Sequence, residues 1–143
     1  MLSNVEQIFE ADNSSRFRRP LIGSPVPAGF PSPADDYIER SLDLNEHLIQ
    51  HPAATLFIRV SGDSMVGEGI HSGDLLVVDR AKEAIDGSIV IADFDGELTV
   101  KRLRLRNGKI TLESANPKYP ALAVLEGNEL SIWGVVSHVI HAV

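Results

Sequence analysis

The strongest constraint on the fold of this chain is a run of alternating apolar and polar residues that is interrupted by two turn dipeptides. Residues 87–115, GSIVIADFDGELTVKRLRLRNGKITLESA, contain the steps Asp95-Gly96 and Asn107-Gly108. Alternation with a period of two is typical of strands, and Asp-Gly and Asn-Gly favour the tight turns of hairpins. We therefore predict three antiparallel strands that form a β meander.

Further segments with strand character flank this meander. TLFIRV and GDLLVVD precede it, and LSIWGVVSHVIHAV, rich in β-branched residues, closes the chain. The segment ADDYIERSLDLNEHLIQHP starts with acidic residues, has helical apolar spacing and ends in proline, which predicts a short helix. With 143 residues, 43% of them hydrophobic, and no cysteine, we expect one compact, mainly β domain stabilised by packing.

The first 33 residues differ from the rest. They are polar, and they contain five prolines that restrict the backbone, Pro20, Pro25, Pro27, Pro31 and Pro33. Proline fixes its own φ and pushes the preceding residue toward extended conformations. Apart from a weak helical turn around residues 5–9, we predict a flexible, extended arm over residues 1–33 and a β domain over residues 34–143. An extended arm suits a protease cleft, which pairs with exposed backbone groups, but a plain linker fits these residues as well.

Charge and hydropathy narrow the possible partners. The formal net charge of −7 opposes non-specific binding to nucleic acid, which depends on Lys and Arg side chains that neutralise phosphates. No apolar run approaches the roughly 20 residues that a membrane helix needs, and the N-terminus lacks the pattern of a signal peptide. We expect a cytoplasmic protein that neither binds DNA by itself nor enters a membrane.

The register of the second hairpin predicts the direction of one lysine. A two-residue turn at Asn107-Gly108 pairs apolar with apolar and basic with acidic residues. The predicted pairs are Leu105 with Ile110, Leu103 with Leu112, and Arg102 with Glu113. Because side chains alternate along a strand, Lys101 then shares the inward face with Leu103 and Leu105. Burial makes a lysine a possible general base near neutral pH, whereas a bulge after Val100 would leave it solvated.

A serine in the segment VSGDSMVGEG is the candidate nucleophile. Ser64 follows the strand TLFIRV in a glycine-containing turn, where a hydroxyl can lie beside backbone N–H groups. A desolvated lysine can take the proton of a serine without help from histidine or aspartate. The N–H groups of Asp63 and Ser64 would hold the oxyanion. A polar loop without chemistry remains the alternative interpretation.

Other constellations are weaker. His47 and His51 stand four residues apart on the predicted helix beside Glu46, a spacing that metals use, but no third ligand is placed. A Ser-His-Asp triad would need a histidine outside any recognisable motif, from the set His71, His138 and His141. The arginines of KRLRLR are most simply a solvated strand face. We therefore predict no metal site and no cofactor.

The chain as a whole resembles a known family. AGFPSPADDY, DLNEHLIQHPAAT, SGDSM, GIHSGDLLVVDRA and GELTVKRL occur in the order found in the LexA/UmuD family of self-cleaving serine-lysine peptidases, and the likeness to its UmuD-like branch runs from about Gly23 to the C-terminus. The resemblance implies Ser64 as nucleophile, Lys101 as general base, and the Ala28-Gly29 bond of the arm as the site of self-cleavage. The cut would leave residues 29–143, and with them the whole predicted domain.

The resemblance also implies a biological role. A RecA filament on single-stranded DNA would stimulate the cut, and the protein would be a homodimer that serves a UmuC-type translesion polymerase in SOS mutagenesis. LexA and phage repressors carry a helix-turn-helix domain before the cleavage site, whereas the 28 residues here are too few for one, so we do not expect repression. The alternative is a non-catalytic β module that regulates a polymerase or another partner. The distance between the side chains of Ser64 and Lys101 separates these interpretations.

Overall fold

The computed structural model of the protein describes residues 4–11, 18–22 and 38–143. These residues belong to two compact units. One unit contains the described residues 4–11 and 51–143, and the other contains the described residues 18–22 and 38–50. No helix in the described part of the chain is long and apolar enough to cross a membrane.

The smaller unit contains a two-stranded antiparallel sheet followed by one short helix. Strand β2 (Arg18–Ile22) pairs with β3 (Ile38–Asp43), and helix α1 (Leu44–Leu48) follows directly. The side chain of Asp43 caps the helix, because its Oδ1 accepts a hydrogen bond of 3.0 Å from the backbone N–H of Asn45. The predicted helix is thus present but short, and the prediction was wrong for Ile38–Asp43, which pairs as a strand.

The larger unit contains eight strands, which are β1 (Asn4–Glu10), β4 (Thr55–Ser61), β5 (Leu75–Asp79), β6 (Ile89–Phe94), β7 (Glu97–Arg106), β8 (Lys109–Glu113), β9 (Leu122–Val124) and β10 (Leu130–Ile140). They form one curled antiparallel sheet in the order β1-β4-β5-β10-β6-β7-β8-β9. Strand β1 also pairs with β7 through Asn4 and Thr99, so the curled sheet brings its first strand to its sixth. Short 3-10 helices occur at Pro52–Ala54 and Val66–Glu68. The mainly β fold is confirmed.

The predicted meander is strands β6, β7 and β8. Its turn residues Asp95 and Asn107 have positive φ angles of 51° and 52°, and the glycine after each is also positive, as a tight hairpin turn requires. The three predicted cross-strand pairs of the second hairpin are all present. The pairing of β7 with β6 is regular through the position of Lys101, so the alternative of a bulge after Val100 is excluded.

Strand β1 corrects the prediction for the N-terminus. Residues 5–9, where a weak helical turn was expected, lie in a strand that pairs with β4, with a bulge between Val5 and Gln7. Val5 packs against the core, whereas Ile8 and Phe9 are exposed. Part of the predicted arm is therefore a strand of the sheet. The predicted domain boundary after residue 33 lies outside the described residues and stays a prediction.

The core of the larger unit consists of two clusters of buried apolar side chains. One cluster includes Ile58, Met65 and Leu76, and the other includes Leu103 and Leu112. Burial of each such side chain contributes about 1.5–3 kcal/mol to folding. Met65 directly follows Ser64, so the core fixes the loop that carries the candidate nucleophile.

Candidate active site

The loop after β4 carries Ser64, and two backbone hydrogen bonds tie this loop to the segment that follows β8. The N–H of Ala115 donates to the carbonyl of Ser64 at 2.8 Å, and the N–H of Gly67 donates to the carbonyl of Ala115 at 2.7 Å. A Cβ atom at Gly67 would lie 2.6 Å from that carbonyl oxygen. Only glycine allows this approach, so the loop of Ser64 lies directly against the backbone of Ala115.

Lys101 lies in the middle of β7, opposite Val90 of β6, and its side chain is fully buried, as the alternation predicted. Its Nζ donates a hydrogen bond of 3.1 Å to the Oγ of Ser64, which is also buried. Loss of water around the ammonium lowers the pKa of Lys101 from 10.5 to about 8. A substantial fraction of this amine is therefore uncharged at mildly alkaline pH.

An ion pair links the strand of Lys101 to the loop of Ser64. The guanidinium of Arg102, next to Lys101, pairs with the carboxylate of Glu68 in the 3-10 helix after Ser64. The same guanidinium donates to the carbonyl of Gly87 at 2.6 Å. Arg102 lies opposite Glu113 in the register, as predicted, but the ion partner of Glu113 is Arg104, at 3.0 Å.

Two side chains beyond β8 hold Asp63, the residue before Ser64. The amide of Asn116 donates to the carbonyl of Asp63 at 2.9 Å, and the hydroxyl of Tyr119 donates to its carboxylate at 2.5 Å. The hydrogen bond from Tyr119 lowers the pKa of Asp63 and raises the pKa of Tyr119. Sequence reasoning missed both residues. The Asn116-Pro117 step signals a turn, but it does not reveal which loop the turn contacts.

Two parts of the predicted site remain predictions. Ala28 and Gly29, the predicted cleavage residues, lie outside the described residues. The N–H groups of Asp63 and Ser64 likewise remain the predicted oxyanion donors. Ser114 adds a feature that the sequence did not indicate, because its Oγ is the one buried side-chain polar atom without a hydrogen-bond partner among the described residues.

The histidines make contacts of their own within the described residues. Helix α1 ends at Leu48, so His47 and His51 do not share a helix face, and Nδ1 of His51 instead lies 2.6 Å from a carboxylate oxygen of Asp79. His138 contacts the hydroxyl of the neighbouring Ser137. Within the described residues, one group of three side chains could ligate a metal ion, and it consists of His71, Asp74 and His141.

The geometry of Ser64 and Lys101 defines the chemistry that is available. An uncharged amine at hydrogen-bonding distance from a hydroxyl can accept its proton as the oxygen attacks an electrophile. The apolar surroundings keep water away from the amine and favour its neutral form. The pair is thus suited to acyl transfer by a serine whose base is a lysine.

Comparison with known proteins gives the family. Residues 20–137 match the family described as Peptidase S24-like. The chain is 55% identical to Protein SamA of Salmonella typhimurium over 122 residues, which are 85% of this chain and 84% of that protein. It is 47% identical to Protein MucA of Escherichia coli over 133 residues, 92% of this chain and 90% of that protein. It is 45% identical to the LexA repressor of Methylococcus capsulatus over 122 residues, 85% of this chain but 59% of the repressor. The protein therefore belongs to the Peptidase S24-like family of serine peptidases, and the resemblance to UmuD-like proteins that its motifs indicated is confirmed.

Proposed function

We propose that this protein is a serine-lysine peptidase that cuts its own chain between Ala28 and Gly29. The observation that carries the proposal is the hydrogen bond of 3.1 Å between two fully buried side chains, Lys101 and Ser64. A buried lysine destabilises a fold unless something compensates for the lost hydration. In a member of a serine peptidase family, the position of this lysine beside a serine explains its burial, because burial favours the neutral amine that can act as the base.

In the proposed reaction, neutral Lys101 accepts the proton of Ser64 while the serine oxygen attacks the carbonyl carbon of Ala28. The N–H groups of Asp63 and Ser64 stabilise the oxyanion. Lys101, now an ammonium, gives its proton to the nitrogen of Gly29 as the peptide bond breaks, which leaves Ala28 as an ester on Ser64. Water then attacks this ester with Lys101 again as base, and the serine is regenerated.

We extend this proposal to the role that the family resemblance implies. The cleaved protein, as a homodimer in the cytoplasm, would serve a UmuC-type translesion polymerase in SOS mutagenesis. A RecA filament on single-stranded DNA would accelerate the cut if it binds the state with the arm in the cleft better than the state with the arm outside it. Such a partner would accelerate cleavage without contributing a catalytic residue. The sequence identity with SamA and MucA supports this role.

The pH dependence of cleavage tests the proposed base. We expect the purified chain to release a product that starts at Gly29, at a rate that rises about tenfold between pH 7 and pH 9. With a pKa of about 8, the neutral fraction of Lys101 rises from roughly 9% to roughly 91% over this range. Intact masses and the new N-terminus, followed over a pH series, give the measurement.

Ser64→Ala is the matched control for this series. It should remain whole at every pH, because no nucleophile remains. Cleavage of Ser64→Ala at the unmodified rate would remove Ser64 from the mechanism, whereas an unmodified chain that stays whole at every pH would favour the non-catalytic module. A product that begins elsewhere than Gly29 would overturn the site assignment alone.

Strand β1 predicts a structural consequence of the cut. Because β1 precedes Ala28, the cut would break its covalent link to the rest of the sheet. Residues 29–143 would then lack one strand of the fold, whereas the sequence predicted that they would keep the whole domain. Among the side chains of residues 5–10, which the structure describes, Val5 alone packs against the core. We therefore expect the peptide to dissociate once the chain is cut. Amide hydrogen exchange in β4 should then accelerate on the edge that β1 had covered.

The uncut Ser64→Ala chain provides the baseline for this exchange experiment. Its β4 amides should stay protected under the same conditions. If residues 1–28 remain bound after cleavage and exchange in β4 is unchanged, β1 is held by more than the described contacts provide.

A further inference from the structure

Three side chains with metal-binding chemistry converge where β5 begins and β10 ends. Nδ1 of His141 lies 2.6 Å from one carboxylate oxygen of Asp74, and Nδ1 of His71 lies 3.8 Å from the other. One ligand atom from each of the three residues lies within 4.8 Å of the other two. None of these residues has a part in the proposed cleavage reaction, so the cluster calls for a separate explanation.

The backbone, rather than the side chains alone, brings the three residues together. In the antiparallel pairing of β5 with β10, Ile140 is opposite Leu75, so His141 extends the register by one residue to lie across from Asp74. This cross-strand position is fixed by the sheet and does not depend on a choice of rotamer.

His71 is fixed to Asp74 by reciprocal hydrogen bonds across a tight turn. The N–H of Asp74 donates to the carbonyl of His71 at 3.0 Å, and the N–H of His71 donates to the carboxylate of Asp74 at 2.8 Å. Two backbone hydrogen bonds also join this turn to β4. The N–H of Gly73 donates to the carbonyl of Val60, and the N–H of Val60 donates to the carbonyl of Asp74. The site is therefore preorganised by three strands.

The burial pattern is that of an open, solvent-facing site. The side chain of Asp74 is 3% exposed, whereas those of His71 and His141 are 51% and 50% exposed. An ion would thus meet a carboxylate at the base and two imidazoles at the rim. In a tetrahedral site with metal–ligand distances near 2.1 Å, ligand atoms are roughly 3.4 Å apart. The present Nδ1–oxygen separations of 2.6 and 3.8 Å, which involve different oxygens of Asp74, lie on either side of that value, and rotation of the two imidazoles would adjust them.

We propose that His71, Asp74 and His141 form a binding site for zinc or a similar borderline divalent ion, with solvent as the remaining ligand. Two imidazoles and one carboxylate suit Zn²⁺ and Co²⁺, and disfavour Mg²⁺ and Ca²⁺, which prefer oxygen ligands. A bound ion joins the end of the last strand to the turn before β5 and stabilises the folded chain. The sequence analysis missed this site because Asp74 and His141 are 67 residues apart.

Titration of the chelator-treated full-length chain with metal tests the proposal. Calorimetry with Zn²⁺ should show one site per chain, and Co²⁺ should give the visible absorption of a four-coordinate ion. Zn²⁺ should also raise the melting temperature, whereas Mg²⁺ and Ca²⁺ should neither do so nor displace Co²⁺. His71→Ala and His141→Ala should each weaken Zn²⁺ binding by about 100-fold or more, since even indirect partners of a metal contribute 10- to 100-fold.

Two further variants make the result decisive. His138→Ala removes another exposed histidine of β10 and should bind Zn²⁺ as the unmodified chain does. His141→Gln can keep a hydrogen bond to Asp74, so the fold should persist while binding is lost. The proposal is overturned if the unmodified chain binds Zn²⁺ no more tightly than the His71→Ala/His141→Ala double variant, or if His138→Ala weakens binding as much as His141→Ala does. The metal titration does not measure cleavage, so a negative result would overturn the metal site and leave the proposed peptidase activity untouched.

Discussion

Lys101→Met is expected to abolish self-cleavage and, at neutral pH, to make the folded domain more stable. Methionine has a similar volume without the amine, so the variant removes the proposed base and fills the same space. Loss of a general base typically slows a reaction by 10² to 10⁴-fold. The stability gain follows because a pKa lowered from 10.5 to about 8 corresponds to roughly 3 kcal/mol of free energy of unfolding that the lysine removes.

The pH dependence of this gain has a definite sign. Above pH 10.5 the lysine is neutral in both the folded and the unfolded chain, and its ionisation does not affect stability. As the pH falls toward 8, the unfolded chain binds a proton that the folded chain does not, so the unmodified protein loses stability. Below pH 8 the difference is constant. After about 1 kcal/mol is subtracted for the lost hydrogen bond to Ser64, Lys101→Met should be more stable by about 2 kcal/mol at pH 7 and show little advantage near pH 10.5.

Urea denaturation at several pH values, with intact mass checked throughout, measures this effect. Lys109→Met is the matched control, because Lys109 is exposed at the start of β8 and the same substitution there should change neither cleavage nor stability by much. If Lys101→Met is less stable than the unmodified chain at pH 7, burial of the lysine amine does not lower the stability of the folded chain. If it still cleaves at the unmodified rate, Lys101 is not the base.

The direction of Lys101 was predictable because every step was local. The turn at Asn107 and Gly108 fixed the register of β7 against β8, and strict alternation then carried the inward face to Lys101. The same reasoning failed for residues 5–9 and 38–43. Both segments are strands because another strand lies beside them, and short-range patterns of polarity contain no information about a partner that is distant in the sequence.

The surroundings of Ser64 show a second limit. The sequence identified Ser64, but not the residues that hold its loop, because Ala115, Asn116 and Tyr119 lie beyond two intervening hairpins. Their contacts arise from the way the sheet curls. The family resemblance gave the two residues of the proposed dyad, whereas the geometry that supports them required the structure.

Gly67→Ala tests whether that support matters, and we expect it to slow cleavage by about 100-fold. The added Cβ would lie 2.6 Å from the carbonyl oxygen of Ala115, which is backbone and cannot rotate away. The loop must move instead, and Ser64 moves with it, because its own carbonyl is bound to the N–H of Ala115. A displacement of about 1 Å at a reacting group can reduce a rate by about 10²-fold. Stability should fall by about 1–3 kcal/mol through overpacking.

Gly69→Ala separates misplacement of the nucleophile from loss of stability. Gly69 lies in the same loop with a φ of +77°, and a Cβ there would have no atom within 4 Å. Its substitution strains the backbone by about 1–2 kcal/mol but leaves the contact between Gly67 and Ala115 intact. We therefore expect Gly69→Ala to unfold at lower urea concentration, as Gly67→Ala does, yet to cleave at nearly the unmodified rate. If both variants slow cleavage equally, the close approach to Ala115 stabilises the loop without positioning Ser64 for attack.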